Sequence, residues 1–89
     1  MKTVHLEISG KVQGVFFRAS AQEIAKLHKI SGWIRNTHDK NVEALITGAD
    51  EDIQKFIEWC KEGPDKAMVE HITITNVALQ TFNKFEVIR

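Results

Sequence analysis

The sequence has one cysteine, one proline and no tyrosine among its 89 residues. Cys60 has no second cysteine with which to form a disulfide, and the lack of a Cys-x-x-Cys pair disfavours both a zinc staple and a metal carrier. Four scattered histidines fall at no metal-ligand spacing. We therefore expect apolar packing to stabilise the fold, with Cys60 as an inert core thiol on a helix stripe.

An excess of charge of either sign is also lacking, because 12 lysines and arginines balance 12 aspartates and glutamates. Proteins that bind duplexes usually carry a basic stripe that displaces counterions, so this balance disfavours nucleic acid as a partner. No apolar run reaches the roughly 18 residues of a membrane span, and no signal-peptide pattern opens the chain. The sequence predicts a cytoplasmic protein without a membrane partner, and nothing in it demands more than a monomer.

The length and the 43% hydrophobic content are typical of one small globular domain, residues 1–89. Period-two alternation of apolar residues predicts strands over 3–9, 30–37, 41–47, 69–75 and 82–88. The alternation slips between Val69 and Ile72, which indicates a bulge. In the last strand we expect Phe85 and Val87 to face inward.

Two apolar stripes at helical spacing predict two helices, one after the first strand and one after the third. The first ends near His28 and starts either at Ser20, as a capping box with Glu23, or near Phe17. The second carries acidic residues in its first turn and stops at Gly63-Pro64. The order βαββαβ plus a terminal strand predicts an α+β, ferredoxin-like sandwich, with an antiparallel sheet and both helices on one face.

That fold carries many unrelated functions, so the function must be argued from a site. The segment GKVQGVFFR, residues 10–18, connects the first strand to the first helix. Backbone N–H groups of such a loop can cradle a phosphate or carboxylate, and Arg18 can clamp it. The spacing matches neither G-x-G-x-x-G nor a Walker loop. Spacing alone leaves open that the segment is only a long turn with a surface arginine.

The same segment resembles the first signature of the acylphosphatase family, in the pattern G-x-VQGV-x-FR. The segment GWIRN, residues 32–36, resembles the second signature and stands at the expected distance. Val42-Glu43, Gly48 and the stretch 63–69 also match, and the resemblance extends from Val4 to Val87. The family's fold is the ferredoxin-like sandwich, which agrees with the element order.

The resemblance implies that the chain hydrolyses a small acyl phosphate, a mixed carboxylic–phosphoric anhydride, to a carboxylate and inorganic phosphate, with no metal and no cofactor. It also implies that Arg18 binds the phosphate and that Asn36 positions the attacking water. The loop residues whose backbone N–H groups share the phosphate are then Val12, Gln13, Gly14, Val15, Phe16 and Phe17. Without the first motif, the favoured interpretation of Asn36 is an ordinary strand end before a turn, where asparagine often bonds the local backbone.

The sequence departs from the family pattern at two places. His28-Lys29 stands where the family has a glycine near the end of the first helix, which leaves that helix end undefined. Asp39-Lys40 replaces an Asp-Gly turn between the second and third strands. Asn41 could supply a positive φ there, but a shifted turn would displace Asn36.

Two binding modules on the same fold are alternatives. An RNA-binding module needs aromatic residues on the third strand, and residues 41–47 contain none. A sensor that binds phosphate or carboxylate without turnover stays open. The Asn36→Ala variant separates it from an enzyme, because a sensor keeps its affinity and has no rate to lose.

Overall fold

A computed structural model describes residues 1–89. The strands are β1 (Lys2–Lys11), β2 (Ser31–Asn36), β3 (Val42–Gly48), β4 (Met68–Val77) and β5 (Phe85–Ile88), and the helices are α1 (Phe17–Leu27) and α2 (Asp50–Glu62). The element order and the predicted α+β fold class are confirmed. Neither helix has the length and apolar character needed to cross a bilayer.

The five strands form one sheet in the order β4-β1-β3-β2-β5. Strand β1 pairs antiparallel with β3 and β4, and β2 pairs antiparallel with β3. Strand β5 runs parallel to β2, so the prediction of a purely antiparallel sheet is wrong for this pair. The reason is topological. Strand β4 ends at the same end of the sheet as the start of β2, so the chain crosses that end and enters β5 in the direction of β2.

The connection between β4 and β5 is held to this end of the sheet by polar contacts. The backbone N–H of Gln80 donates to Thr3 Oγ1 at 2.9 Å, and Thr47 Oγ1 donates to the Gln80 carbonyl at 2.8 Å. Thr3 and Thr47 are buried and also bond each other at 2.6 Å. The crossing segment is thereby fixed across the start of β1 and the end of β3.

Both helices cover the same face of the sheet, because a single cluster of 18 buried residues includes side chains of both. From α1 it takes Phe17, Ala21 and Ala25, and from α2 it takes the stripe Ile53, Phe56, Ile57 and Cys60. Phe85 is buried as predicted and Val87 is half-buried. Cys60 is a free, buried thiol, and its burial raises its pKa.

The first helix begins at Phe17, so of the two predicted starts the one near Phe17 is confirmed and the capping box at Ser20 does not form. Phe16 is the N-cap residue, with a positive φ of 64°, and its carbonyl accepts the N–H of Ser20 at 3.0 Å. Phe17 is only 2% exposed. Burial of this ring in the core outweighs the local capping preference of Ser20 and Glu23.

The bulge in β4 agrees with the prediction, whereas the turn between β2 and β3 differs from it. The bulge is confirmed, because Ser9 lies opposite His71 and Gly10 opposite Val69, which leaves Glu70 as the extra residue. In the turn between β2 and β3 the positive φ belongs to Lys40, at 69°, and not to Asn41. The side chain of Asn41 instead bonds across to β1, where its Nδ2 donates to Glu7 Oε2 at 2.8 Å.

Candidate functional site

The carboxyl ends of β1, β2 and β5 meet at one end of the sheet, which we call its carboxyl edge. Val42, the first residue of β3, lies opposite both Ile8 of β1 and Asn36 of β2. Because β5 is parallel to β2, its last residue Ile88 lies beside Arg35 at the same edge. The loop after β1 and the start of α1 therefore come together with the end of β2.

A groove of about 710 Å³ opens at this edge and contains both predicted site residues, Arg18 and Asn36. Its other walls come from the loop, from α1 and from β5, including Val12, Gly14, Phe16, Phe85 and Val87. A smaller adjoining pocket is lined by Arg18, Arg35, Asn36, Ile88 and Arg89. The structure thus brings together the residues that the two sequence motifs singled out.

The loop between β1 and α1 is anchored by buried valines and exposes its backbone donors. Val12 and Val15 are buried in the core, while Gly14 and Phe16 have positive φ values of 74° and 64°. None of the backbone N–H groups from Val12 to Phe16 donates a hydrogen bond within the protein. Alternation of ordinary and left-handed residues turns successive N–H groups toward one side, a concave arrangement suited to an anion.

Arg18 is a half-buried residue, and its guanidinium has no carboxylate partner among the ion pairs. Its Nη1 donates to the carbonyl of Ile88 at 3.2 Å, which holds the side chain against the end of β5. A guanidinium has five N–H donors in a rigid fork. Most of that fork and its full positive charge remain available at the groove.

Asn36 is the last residue of β2 and its side chain makes no hydrogen bond within the protein. Its Oδ1 is buried and has no partner. A buried acceptor without a partner costs roughly 1–3 kcal/mol, so such atoms are uncommon outside functional sites. The register Asn36 opposite Val42 is intact, so the glycine-free turn at Lys40 does not move Asn36 away from the groove.

Sequence reasoning missed three contacts around the site. The first is the bond from Arg18 to the Ile88 carbonyl. The second is the pair of bonds from the Gln13 side chain to the turn after β2, because the motif pointed only to the backbone of Gln13. The third is an ion-pair cluster in which Glu43 accepts from His5 at 2.7 Å and from Arg35 at 2.6 Å. Burial opposes ionisation of Glu43, but these hydrogen bonds outweigh it and hold the pKa of Glu43 below its usual value. No spacing rule identifies such partners, since they come from different strands.

The fold and the groove define a class: a small ferredoxin-like α+β sandwich with an unpaired arginine beside a loop of free backbone donors. Residues 4–87 match the family model described as Acylphosphatase. An acylphosphatase from Gloeobacter violaceus is 40% identical over 85 residues, which is 96% of this chain and 91% of that relative. The chain belongs to the acylphosphatase family, which is a family of enzymes.

Solved structures agree with this assignment. The crystal structure of an acylphosphatase from Bacillus subtilis superposes with a TM-score of 0.96 at 32% identity and covers all of both chains. An acylphosphatase from Coxiella burnetii gives a TM-score of 0.93 at 34% identity, over 97% of this chain and 90% of that one. Coverage close to the full length of each relative means that the likeness includes both helices and the whole sheet.

Proposed function

We propose that this protein hydrolyses acyl phosphates without a metal ion, in the groove between the loop, α1 and the end of β2. In this proposal Arg18 and the backbone N–H groups from Val12 to Phe17 hold the phosphoryl group. Asn36 holds the attacking water. The observation that carries the proposal is that one groove is lined by an arginine without a carboxylate partner, a loop of free N–H donors and an asparagine whose side chain makes no hydrogen bond within the protein.

The chemistry requires positioning more than a strong nucleophile. Water attacks phosphorus, the bond from phosphorus to the acyl oxygen breaks, and the acyl group leaves as a carboxylate that takes the bonding electron pair. One proton of the attacking water stays on its oxygen as a P–OH group and the other passes to an oxygen of the phosphoryl group, so the products are a carboxylate and dihydrogen phosphate. Since a carboxylate is a good leaving group, holding the phosphoryl group and aiming the water are the main tasks.

Arg18 suits the first task because it stays charged and offers parallel donors to phosphate oxygens. Loop N–H groups at the start of α1 add the positive end of the helix dipole. Together they supply the positive charge that a metal ion supplies in other phosphoryl-transfer sites. Asn36 suits the second task because its carboxamide both donates and accepts, and rotation of its terminal group exchanges the two.

The first experiment follows hydrolysis of benzoyl phosphate by the purified protein in the presence of a chelator, with the spontaneous rate subtracted. We expect turnover that the chelator does not reduce. Phosphate binding without turnover would support a sensor. The absence of both turnover and phosphate binding would contradict the proposed site. Loss of turnover on chelation alone would refute the metal-independent part.

Two variants test the residue roles. Arg18→Ala should abolish phosphate binding and lower the rate by at least the roughly 10²–10³-fold that one well-aimed donor contributes. Asn36→Ala should lower kcat by about 10²–10³-fold and leave the inhibition constant of phosphate nearly unchanged. Lys26→Ala, in the last turn of α1, and Asn76→Ala, on the exposed β4, are matched controls. Site variants that hydrolyse benzoyl phosphate as fast as these controls would show that the assignment is wrong.

A further inference from the structure

The side chain of Gln13 connects the loop after β1 to the turn after β2. Its Nε2 donates to the carbonyl of Thr37 at 3.0 Å and to the carbonyl of Asn41 at 2.8 Å. Both hydrogens of the carboxamide are therefore used, and both acceptors are backbone atoms. The partners stand far from Gln13 in sequence, so this is a tertiary link between two loops.

The turn that receives these bonds is closed by its own hydrogen bonds. The N–H of Thr37 donates to the Asn41 carbonyl at 2.9 Å, and the N–H of Lys40 donates to the Thr37 carbonyl at 3.2 Å. The N–H of Asn41 donates to Thr37 Oγ1 at 3.1 Å. The turn is thus a compact unit, and Gln13 bonds the two carbonyls at its base.

Thr37 directly follows Asn36, so whatever fixes Thr37 also fixes the backbone of Asn36. On the other side, Gln13 lies between the buried anchor Val12 and Gly14, in the middle of the loop with free N–H donors. The Gln13 carboxamide therefore fixes the distance between the loop that would hold phosphate and the residue that would hold water. No other side chain of the loop makes a hydrogen bond to this turn.

We propose that Gln13 is a positioning residue, whose side chain sets the place of Asn36 relative to the phosphate loop. This inference rests on the proposed function, because it assigns Gln13 a part in the same reaction. In-line attack requires the water and the phosphorus to be aligned closely, and a displacement of 1 Å can lower a rate by about 10²-fold. Loops are the most mobile parts of a fold, so two loops that must cooperate need a direct link.

The chemistry of the link explains why glutamine suits this position. Two carbonyl oxygens need two donors on one short planar group, and a primary carboxamide provides them. Glutamate has the same shape but, when ionised, has no donor and places negative charge against two carbonyl dipoles. Methionine has a similar length and no donor at all. These two residues therefore remove the link while they keep the size of the side chain.

The test uses Gln13→Met, with Gln13→Glu as a second variant, and measures kcat and KM for benzoyl phosphate and the inhibition constant of inorganic phosphate. We expect kcat to fall by about 10–100-fold, the range that a displacement of up to 1 Å explains. The phosphate inhibition constant should change by less than about two-fold, because the loop N–H groups and Arg18 are retained. Gln54→Met, which alters an exposed glutamine of α2, is the matched control.

A double-mutant cycle with Asn36→Ala separates positioning from a merely structural role. In the Asn36→Ala background, Gln13→Met should lower kcat by less than about two-fold, because no carboxamide remains to be positioned. Multiplicative losses, an unchanged kcat in the single variants, or a phosphate inhibition constant that rises as much as kcat falls would each overturn the inference.

A readout without turnover keeps this test separate from the proposed function. Amide hydrogen exchange of Thr37 and Lys40 should be faster in Gln13→Met than in the parent and in Gln54→Met, because the turn has lost its link. If the parent has no activity but exchange rises, the link exists and the proposed function fails. If the parent is active and exchange at the turn stays unchanged, Gln13 does not fix the turn and the inference fails.

Discussion

Lys29 is held in the left-handed conformation, with a φ of 57°, immediately after the C-cap residue of α1. Two backbone bonds require this geometry: the N–H of Ile30 donates to the Ala25 carbonyl at 2.8 Å, and the N–H of Lys29 donates to the Lys26 carbonyl at 3.3 Å. This is the Schellman arrangement, in which glycine is the usual residue. The helix end that the sequence left undefined is therefore a regular cap built on a strained lysine.

Lys29→Gly should stabilise the protein by about 0.5–1 kcal/mol. Left-handed geometry costs a residue with a Cβ roughly 1–2 kcal/mol. Glycine removes that cost. Its greater backbone freedom in the unfolded chain lowers the free energy of unfolding by about 0.4–1 kcal/mol, so only part of the gain remains. For a chain of this length the unfolding entropy is about 0.19 kcal/mol/K, so Tm should rise by about 3–5 °C. Thermal unfolding followed by circular dichroism measures this shift directly.

Lys26→Gly is the control, because it makes the same change three residues earlier, inside the helix. Glycine in a helix interior costs about 1 kcal/mol, so Tm should fall by about 5 °C. Lys29 lies beyond the far end of α1, about 16 Å along the axis from Arg18, so Lys29→Gly should leave turnover unchanged. A Lys29→Gly variant that melts at or below the parent Tm would refute the strain argument.

Three more predictions concern acid stability, thiol access and the bulge. The folded-state pKa of Glu43 is lowered, so ionised Glu43 stabilises the fold above the unfolded pKa near 4.3, and this stabilisation is lost as pH falls through the folded pKa. In urea unfolding, Glu43→Gln should be less stable than the parent at pH 7 and nearly equal to it at pH 2. Equal losses of stability at the two pH values would contradict this. Cys60 should resist alkylation by iodoacetamide at pH 8 until urea unfolds the chain, because burial both shields the thiol and raises its pKa; rapid labelling of the folded protein would contradict this. Gly10→Ala places a Cβ in steric overlap with the Met68 carbonyl oxygen at a φ of 121°, so unfolding measurements should show a loss of at least about 1–3 kcal/mol, and a parent-like Tm would exclude this bulge geometry.

The order of elements could be predicted because the local pattern and the burial agree along most of the chain. Val4, Leu6 and Ile8 alternate in sequence and are fully buried on one face of β1. The stripe of α2 behaves in the same way. In these segments a period of two or of 3.6 residues is enough to identify which side chains meet the core.

Boundaries and turns were less predictable because tertiary contacts decide them. Ser20 and Glu23 form a local capping pattern, but the core contact of Phe17 extends the helix by a turn. Asn41 is the better residue for a positive φ, but its side chain bonds Glu7 and Lys40 takes the left-handed position. The parallel direction of β5 depends on where the crossing segment runs, which no alternation encodes.

The candidate site shows the same division. Arg18 and Asn36 were predicted from two motifs, and the structure places both in one groove. Their proposed roles remain predictions. The contacts around them could not be predicted, because the acceptors are backbone carbonyls. Every residue has such a carbonyl, so the sequence does not indicate which one a side chain will bond. Gln13 and the Ile88 carbonyl are therefore visible only once the strands are paired.

The sheet explains why these auxiliary contacts are needed. Strands β1 and β2 are both fixed by β3, so the starting points of the loop and of Asn36 are rigid. Strand β5 has four residues and a single neighbour, yet it supplies the carbonyl that holds Arg18. Phe85, buried against Phe56 at a ring distance of 5.9 Å, anchors this short strand in the core. The groove therefore depends on the contacts that hold this short strand and, in our proposal, on the Gln13 carboxamide that links the two loops.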